Sequence, residues 1–186
     1  MASASKRSLR ALVLVDDPGG VPLPGLAGQL DEAARTSLST ALLSRAREWA
    51  ASVSAAAPVE TDSAGLLAAA EGSEALLIIR PALINFGDSL SADLKSDLEA
   101  GCGLVVGPTL NGGWYLLALS PTSLDLLSAA GDGGPRSAGG LLAASRSSQS
   151  LEVGLMRPER DLVTDADLRA AQADPLIAPE IAALIS

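Results

Sequence analysis

Apolar and polar positions follow two different patterns along this chain. Short apolar runs bounded by turn residues predict buried β-strands at 9–15, 75–79, 104–106, 114–119 and 151–156, with a weaker candidate at 53–59. Elsewhere apolar residues recur at helical spacing and predict helices at 29–51, 63–70, 88–100, 121–130, 165–173 and 179–185. The proline- and glycine-rich segment 16–28 is predicted to be a long loop, and the glycine-rich segment 131–140 to be flexible.

Strands that alternate with helices predict an α/β fold with a mostly parallel sheet covered by helices on both faces. The connection 107–113 is too short for a crossover, so the strands on either side of it should be adjacent and antiparallel. We therefore expect a three-layer, Rossmann-like mixed sheet, with ligands bound at the carboxyl ends of its strands. Residues 1–8 are expected to form a disordered N-terminus and residues 9–186 a single domain.

The charge balance excludes several classes of partner. The chain has 22 acidic and 13 basic residues, a formal net charge of −9. Phosphate backbones and anionic lipid surfaces attract basic proteins, so we expect neither nucleic acid nor a membrane as the main partner. No apolar run approaches the roughly 18 residues of a membrane span. The apolar run that follows the basic start is too short for a signal peptide, and we expect a cytoplasmic protein.

The reactive side chains are few. Histidine is absent, which removes the commonest general base, the Ser-His and Cys-His nucleophile pairs and every histidine metal site. Cys102 is the one cysteine, so neither an internal disulfide nor a cysteine zinc site can form. Because Cys102 stands where an apolar strand begins, it is expected to be a small core residue and not a nucleophile.

One segment is distinctive. Residues 104–117 read LVVGPTLNGGWYLL. They resemble the strand, G-P-x-x-D-G-G-Y-Y-L-L turn and strand of bacterial GT-A type glycosyltransferase-like proteins. These are relatives of the guanylyltransferases that make molybdenum cofactor and the phospholactate-guanosine intermediate. A looser similarity extends to Arg80-Pro81-Ala82-Leu83 and to 161–168.

The resemblance implies the GT-A, or nucleotide-diphospho-sugar transferase, fold. It also implies a site in which carboxylates hold a divalent metal against the phosphates of a nucleotide. The family's aspartates fall on Ile79, Asn111 and Val163, and only Asp161 keeps its carboxylate. Magnesium usually needs one or two carboxylate ligands, so we assign no metal ligand, no cofactor and no catalytic residue.

The opening loop differs from the family in charge. The family carries K-x-P-x-x-G-x-x-K-T-R-L there, with cations that would meet phosphate, whereas this chain reads DDPGGVPLPGL at 16–26. Like charges about 4 Å apart repel by about 4 kcal/mol near a protein surface. Asp16 and Asp17 would therefore oppose a nucleotide held by this loop.

Two motifs have an ordinary structural interpretation beside the functional one. Asn111-Gly112-Gly113 suits a tight turn, because Asn and Gly tolerate positive φ. Thr164 and Asp167 have the spacing of a capping box at the start of the helix 165–173, with a metal site as the alternative. Arg80 could meet an anion at the end of its strand or be solvated or paired.

Two functions remain open at this point. The first is a noncatalytic or degenerate member of the family, a pseudoenzyme that keeps the scaffold for ligand binding or for association with itself or a partner. The alternative is an active nucleotide- or nucleotide-sugar-dependent transferase with an atypical, metal-independent site. The ligand implied is a nucleotide or sugar-phosphate, and the candidate binding residues are Arg80, Gly107, Pro108, Asn111, Gly112, Gly113, Trp114, Tyr115 and Asp161.

Overall fold

The computed structural model describes residues 8–15, 21–130, 137–147 and 151–186. Its strands are β1 Leu9–Leu14, β2 Val59–Thr61, β3 Ala75–Ile79, β4 Leu104–Pro108, β5 Trp114–Leu119 and β6 Val153–Leu155. Its helices are α1 Glu32–Val53, α2 Leu66–Ala70, α3 Asp88–Glu99, α4 Leu124–Ala130, α5 Ala138–Ser147, α6 Asp165–Gln172 and α7 Pro179–Ile185, with a short 3-10 turn at Pro24–Leu26.

The described strands form a six-stranded sheet in the order β2-β1-β3-β5-β4-β6. All neighbouring pairs are parallel except those of β5, which is antiparallel to β3 and to β4. The prediction that the strands at 9–15, 75–79, 104–106 and 114–119 share one sheet, with the last two adjacent and antiparallel, is confirmed. Leu104 lies opposite Leu119, and the register shifts at Gly107 and Pro108, where β4 approaches the turn.

Helices cover both faces of the sheet, which confirms the predicted three-layer α/β fold. On one face, Ala46 and Trp49 of α1 and Leu90 of α3 pack against every second residue of the strands, such as Val13 and Leu77. The other face is covered by α2, α4 and α5. Strands β3 and β5 are buried along their whole length, as continuous apolar runs require when both faces are covered.

A third apolar cluster extends the core past the carboxyl edge of the sheet. It joins Leu38 and Leu42 of α1 to Leu26 of the 3-10 turn and to Leu162 and Leu168 around the start of α6. Crossover helices run back from the carboxyl edge, so the first turns of α1 lie at that edge. Apolar side chains therefore fill part of the region in which ligands bind in sheets of this type.

Two sequence predictions are wrong. The weak strand at 53–59 is displaced, because α1 continues to Val53 and β2 begins at Val59. The segment 131–140 is not flexible throughout, since α5 begins at Ala138, while 131–136 lie outside the described residues. Two glycines at 139 and 140 lower helix propensity, but burial of Ala138 and Leu141 against the sheet stabilises the helix.

Candidate functional site

The candidate residues meet at the carboxyl edge of the sheet. Arg80 follows β3, and its backbone N–H donates to the carbonyl of Tyr115 at 2.9 Å. Strand β5 is antiparallel to both β3 and β4, so β3 and β4 run in the same direction. The turn that follows β4 therefore lies at the same edge as Arg80. Asp161 reaches it from the C-terminal part of the chain through an antiparallel bridge to Leu83.

The segment 109–113 forms the tight turn that its sequence predicts. Gly112 has φ +86°, a left-handed conformation that glycine adopts without the clash a side chain would cause. The N–H of Gly112 donates to the carbonyl of Thr109 at 3.0 Å, and the N–H of Thr109 donates to the carbonyl of Gly113 at 2.9 Å. The N–H of Ala138 donates to the carbonyl of Gly112 at 3.0 Å, which ties α5 to the turn.

The side chain of Asn111, an exposed residue, makes three hydrogen bonds within the protein. Its Nδ2 donates to Oδ1 of Asp161 at 3.0 Å. Its Oδ1 accepts from the N–H of Gly113 at 3.1 Å and from the hydroxyl of Thr109. Asn111 therefore joins the turn to the segment that carries Asp161.

Asp161 is a buried carboxylate whose neighbours fix its position. Its side chain and backbone are 7% exposed, and the N–H of Leu162 donates to the carbonyl of Ala82 at 2.9 Å beside it. Burial raises the pKa of Asp161 above its ordinary value, while the hydrogen bond from Asn111 and the nearby charge of Arg80 act in the opposite direction. The carboxylate thus pairs with an amide where the resemblance implies a second carboxylate.

Arg80 and Trp114 stack at the ends of adjacent strands. The guanidinium carbon of Arg80 lies 5.7 Å from the centroid of the Trp114 ring, a cation–π distance. Trp114 is 2% exposed, whereas Arg80 is partly exposed. Arg80 is thus the candidate residue that brings positive charge to this edge.

Gly107 and Tyr115 pack together away from that pair. A Cβ added to Gly107 would lie 2.5 Å from Cζ of Tyr115. The Tyr115 ring therefore occupies the space that a side chain at position 107 would need. The Tyr115 hydroxyl donates to the carbonyl of Arg157 at 3.3 Å. Burial raises the pKa of Tyr115 well above its ordinary value. Tyr115 is therefore a core residue whose polar tip is satisfied within the protein.

The residues present do not fit the divalent metal that the resemblance implies. Ile79 is fully buried in β3, and Val163 is an exposed apolar residue. Within the ranges that the structure describes, no three Asp, Glu, Cys or His side chains lie close enough to hold a metal ion. The side-chain amide of Asn111 donates to Asp161, whereas a metal site needs an oxygen ligand at that position.

The structure also brings together residues that the sequence did not connect. Arg35 of α1 is 9% exposed, and its Nη1 donates to the carbonyl of Pro22 at 3.3 Å, which places a guanidinium against the opening loop. A Cβ on Gly25 would lie 2.0 Å from the carbonyl oxygen of Val163, and one on Gly28 would lie 2.5 Å from Oδ2 of Asp165. The second half of the opening loop therefore packs directly on 163–165. Asp16 and Asp17 lie outside the described residues.

A shallow depression opens at the same edge, at the ends of β1 and β2. It has a volume of about 320 Å³ and is lined by Val15, Glu60, Thr61 and Asp62. Glu60 pairs with Arg47, and Oδ1 of Asp62 accepts from the N–H of Gly65 at 2.7 Å. These acidic side chains already have partners, and their charge disfavours a phosphate.

Comparison with known proteins supports the fold and goes no further. A solved structure from Desulfovibrio desulfuricans G20, described as a candidate nucleotide-diphospho-sugar transferase, superposes with a TM-score of 0.72 over 95% of this chain and 93% of that one. This chain has a nucleotide-diphospho-sugar transferase-like fold. The two sequences are 16% identical, so the likeness concerns the fold alone. Neither a family model nor a curated protein sequence matches this chain.

Proposed function

We propose that this transferase-like domain, residues 9–186, is a noncatalytic relative of the GT-A type guanylyltransferases. It keeps the carboxyl edge of its sheet as a scaffold for binding a ligand or for association. The observation that supports this most strongly is the Asn111–Asp161 pair, in which the amide donates to the carboxylate at 3.0 Å. Both side chains stabilise the junction between the turn and the C-terminal segment.

The physical argument rests on what metal-dependent transfer requires. A magnesium ion that bridges phosphates is usually held by one or two carboxylates of the protein that are open to it. The single retained carboxylate, Asp161, is buried against Asn111, and Val163 presents an aliphatic side chain. Replacing Asn111 with a residue that cannot donate would remove the hydrogen bond from Asn111 Nδ2 to the Asp161 carboxylate. Loss of a hydrogen bond is costly for a buried group.

Arg80 favours a second candidate function, a transferase that binds a nucleotide or sugar-phosphate without metal. Its guanidinium stacks on Trp114 at 5.7 Å and remains partly exposed at the strand ends. A guanidinium can bind phosphate oxygens in a bidentate manner. Against this candidate stand the net charge of −9 and the acidic residues of the opening loop.

Calorimetry with manganese tests the first proposal. We expect wild-type protein to show no stoichiometric site, because Asp161 lacks a second carboxylate. The matched control is the double variant Asn111→Asp/Val163→Asp, which restores two carboxylates at the family positions and should gain manganese affinity. A single saturable site of micromolar affinity in the wild-type protein would contradict the proposal.

A further inference from the structure

Strand β6 ends the described sheet on one side, where its strand neighbour is β4. The carbonyl of Glu152 accepts from the N–H of Leu104 at 3.3 Å, and the N–H of Met156 donates to a carbonyl of the same strand at 2.9 Å. Successive residues of a strand direct their backbone groups to opposite sides, so those of Val153 and Leu155 point away from β4. Free donors and acceptors of this kind make an edge strand a template for a further strand. We call this side of β6 the β6 edge.

The two faces of β6 carry different side chains. On the face covered by α3, a Cβ added to Gly154 would lie 2.4 Å from Oδ2 of Asp97, so this carboxylate occupies the place of the missing side chain. Glu152, two residues before Gly154, points to the same face. On the opposite face, Val153 is 39% exposed and Leu155 is 60% exposed. Along the β6 edge, carboxylates at positions 152 and 154 therefore alternate with aliphatic side chains at 153 and 155.

The two carboxylates bring uncompensated negative charge to the β6 edge. Neither Asp97 nor Glu152 forms an ion pair with any residue that the structure describes. Burial raises the pKa of the neighbouring Cys102 thiol, and the charges of Asp97 and Glu152 raise it further, so both carboxylates act on one small region. Strand β2, at the other side of the sheet, differs because its Glu60 pairs with Arg47 of α1.

These features together select an extended peptide. A strand added beside β6 would bond to the outward backbone groups of Val153 and Leu155 and would place its own side chains alternately on the two faces. Basic side chains would then meet Asp97 and Glu152, while aliphatic ones would meet Val153 and Leu155. A second copy of this chain fits poorly, because pairing two β6 edges would bring together the carboxylates of two molecules that each carry a net charge of −9.

We propose that the β6 edge binds, as an added strand, an extended segment of a partner protein in which basic and aliphatic residues alternate. The backbone of the segment bonds to β6, its basic side chains pair with Asp97 and Glu152, and its aliphatic side chains pack on Val153 and Leu155. This site is independent of the proposed function, because it uses none of the residues that join the turn to Asp161.

Titration of isotope-labelled protein with the peptide acetyl-Lys-Val-Lys-Val-Lys-amide, followed by NMR, tests the proposal. We expect saturable shifts in the amide signals of 151–156 at millimolar peptide. A peptide with glutamate in place of each lysine tests the role of charge. The lysine peptide with its backbone amides N-methylated keeps the charge but cannot donate hydrogen bonds to β6. Neither control peptide should give saturable shifts at 151–156.

Variants of the protein separate the contributions of the β6 edge. Leu155→Lys should abolish binding, because lysine on an edge strand opposes the addition of a further strand. Its matched control is Val59→Lys on β2, the strand at the other side of the sheet, which should leave binding unchanged. Asp97→Asn and Glu152→Gln should each weaken binding about two- to fivefold, the value of an exposed ion pair. Asp125→Asn, which removes a charge from α4 on the other face, should have little effect.

Four results would each overturn the proposal. They are the absence of saturable shifts at 151–156, equal binding of the glutamate peptide, undiminished binding of the N-methylated peptide, and equal binding by the Leu155→Lys and Val59→Lys variants. The side chain of Leu155 is largely exposed, so its replacement should leave folding intact. If that variant fails to fold, comparison of the three peptides on the wild-type protein decides.

Discussion

At the scale of single residues, the Asp161 carboxylate is the group on which the candidate site depends. It is buried, it accepts from Asn111, and its pKa lies above the ordinary value of 3.8 because burial disfavours its charged form. The folded protein therefore binds a proton in a pH range in which the unfolded chain has released it. Asp161 thus couples protonation to stability.

The sign of that coupling gives a prediction. Between 3.8 and the higher folded pKa, the folded state holds more protons than the unfolded state, so the contribution of Asp161 to stability falls as the pH rises. Asp161→Asn keeps an acceptor for Asn111 and removes the titration. We expect the free energy of unfolding of the variant, relative to wild type, to increase as the pH rises above about 4.

Urea unfolding of both proteins across this pH range measures the difference. Carboxylates that do not interact with Asp161 titrate alike in the two proteins and cancel, whereas Asp167, whose charge acts on Asp161, remains in the difference. A relative stability that stays constant, or falls with rising pH, would show that the Asp161 pKa is not raised.

Gly107 gives a second prediction at this scale. Its Cβ position is occupied by the ring of Tyr115, 2.5 Å from Cζ. Gly107→Ala must displace a buried ring whose hydroxyl is bonded to the carbonyl of Arg157, at a cost of about 1–3 kcal/mol. The matched control is Gly139→Ala in α5, where a Cβ meets no atom within 4 Å.

In a helix, alanine is favoured over glycine by about 0.5–1 kcal/mol. The control should therefore stabilise the protein while Gly107→Ala destabilises it, as measured by denaturant unfolding. Equal stability of the two variants would mean that the Tyr115 ring has more room than the structure shows.

At the scale of elements, the start of α6 is fixed by its own side chains. The hydroxyl of Thr164 accepts from the N–H of Asp167 at 3.3 Å, and Oδ2 of Asp167 accepts from the N–H of Thr164 at 2.9 Å. These two reciprocal bonds form the capping box that the sequence predicts. It positions the turn that packs on Gly25 and Gly28 of the opening loop.

Loss of the cap should destabilise this element in a pH-dependent way. Thr164→Ala should cost about 1 kcal/mol, whereas Thr164→Ser should be nearly neutral. Burial acts to raise the pKa of Asp167, but hydrogen bonds from Thr164 and Arg160 outweigh it and lower that pKa. The part of the stabilisation that depends on the Asp167 carboxylate is therefore present above the ordinary value of 3.8 and is lost as the pH falls below it, so the difference between the two variants should narrow in acid.

Urea unfolding at neutral and acidic pH checks this prediction. If Thr164→Ala and Thr164→Ser were equally stable at neutral pH, the capping box would not contribute to stability. Hydrogen exchange in the first turn of α6 would then locate whatever holds it instead.

At the scale of the whole molecule, the distribution of charge bears on which ligands can bind. The net charge is −9, and no lysine or arginine occurs between positions 16 and 30. Arg35, which reaches that loop, is 9% exposed and bonded to the carbonyl of Pro22, so it supports the loop and is not free to meet a phosphate. None of the described helices combines the length and the apolar composition needed to cross a membrane.

The corresponding prediction concerns nucleotides. A ligand at a hundred times its Kd stabilises the folded state by about 2.7 kcal/mol, which raises Tm by about 5–11 °C for a domain of this size. We expect melting curves with millimolar GTP or nucleotide-sugars and magnesium to coincide with the ligand-free curve. A clear shift that Arg80→Ala abolishes would favour the metal-independent transferase in place of the scaffold.

The alternation of strands and helices could be predicted from sequence because it depends on short-range spacing. The hairpin between β4 and β5, the Asn-Gly turn and the Thr164–Asp167 cap are likewise encoded by neighbouring residues. The α5 helix could not be predicted, because its two glycines lower local propensity and only packing on the sheet stabilises it.

The partner of Asn111 was decided by the tertiary structure alone. Asn111 and Asp161 are 50 positions apart, and the contacts of Arg35 with Pro22 and of Gly25 with Val163 likewise depend on how loops pack. Local sequence determines which elements form, since backbone hydrogen bonds and apolar periodicity act over a few residues. It does not determine which polar groups meet at the sheet edge, because that depends on the relative positions of segments that only the folded core brings together.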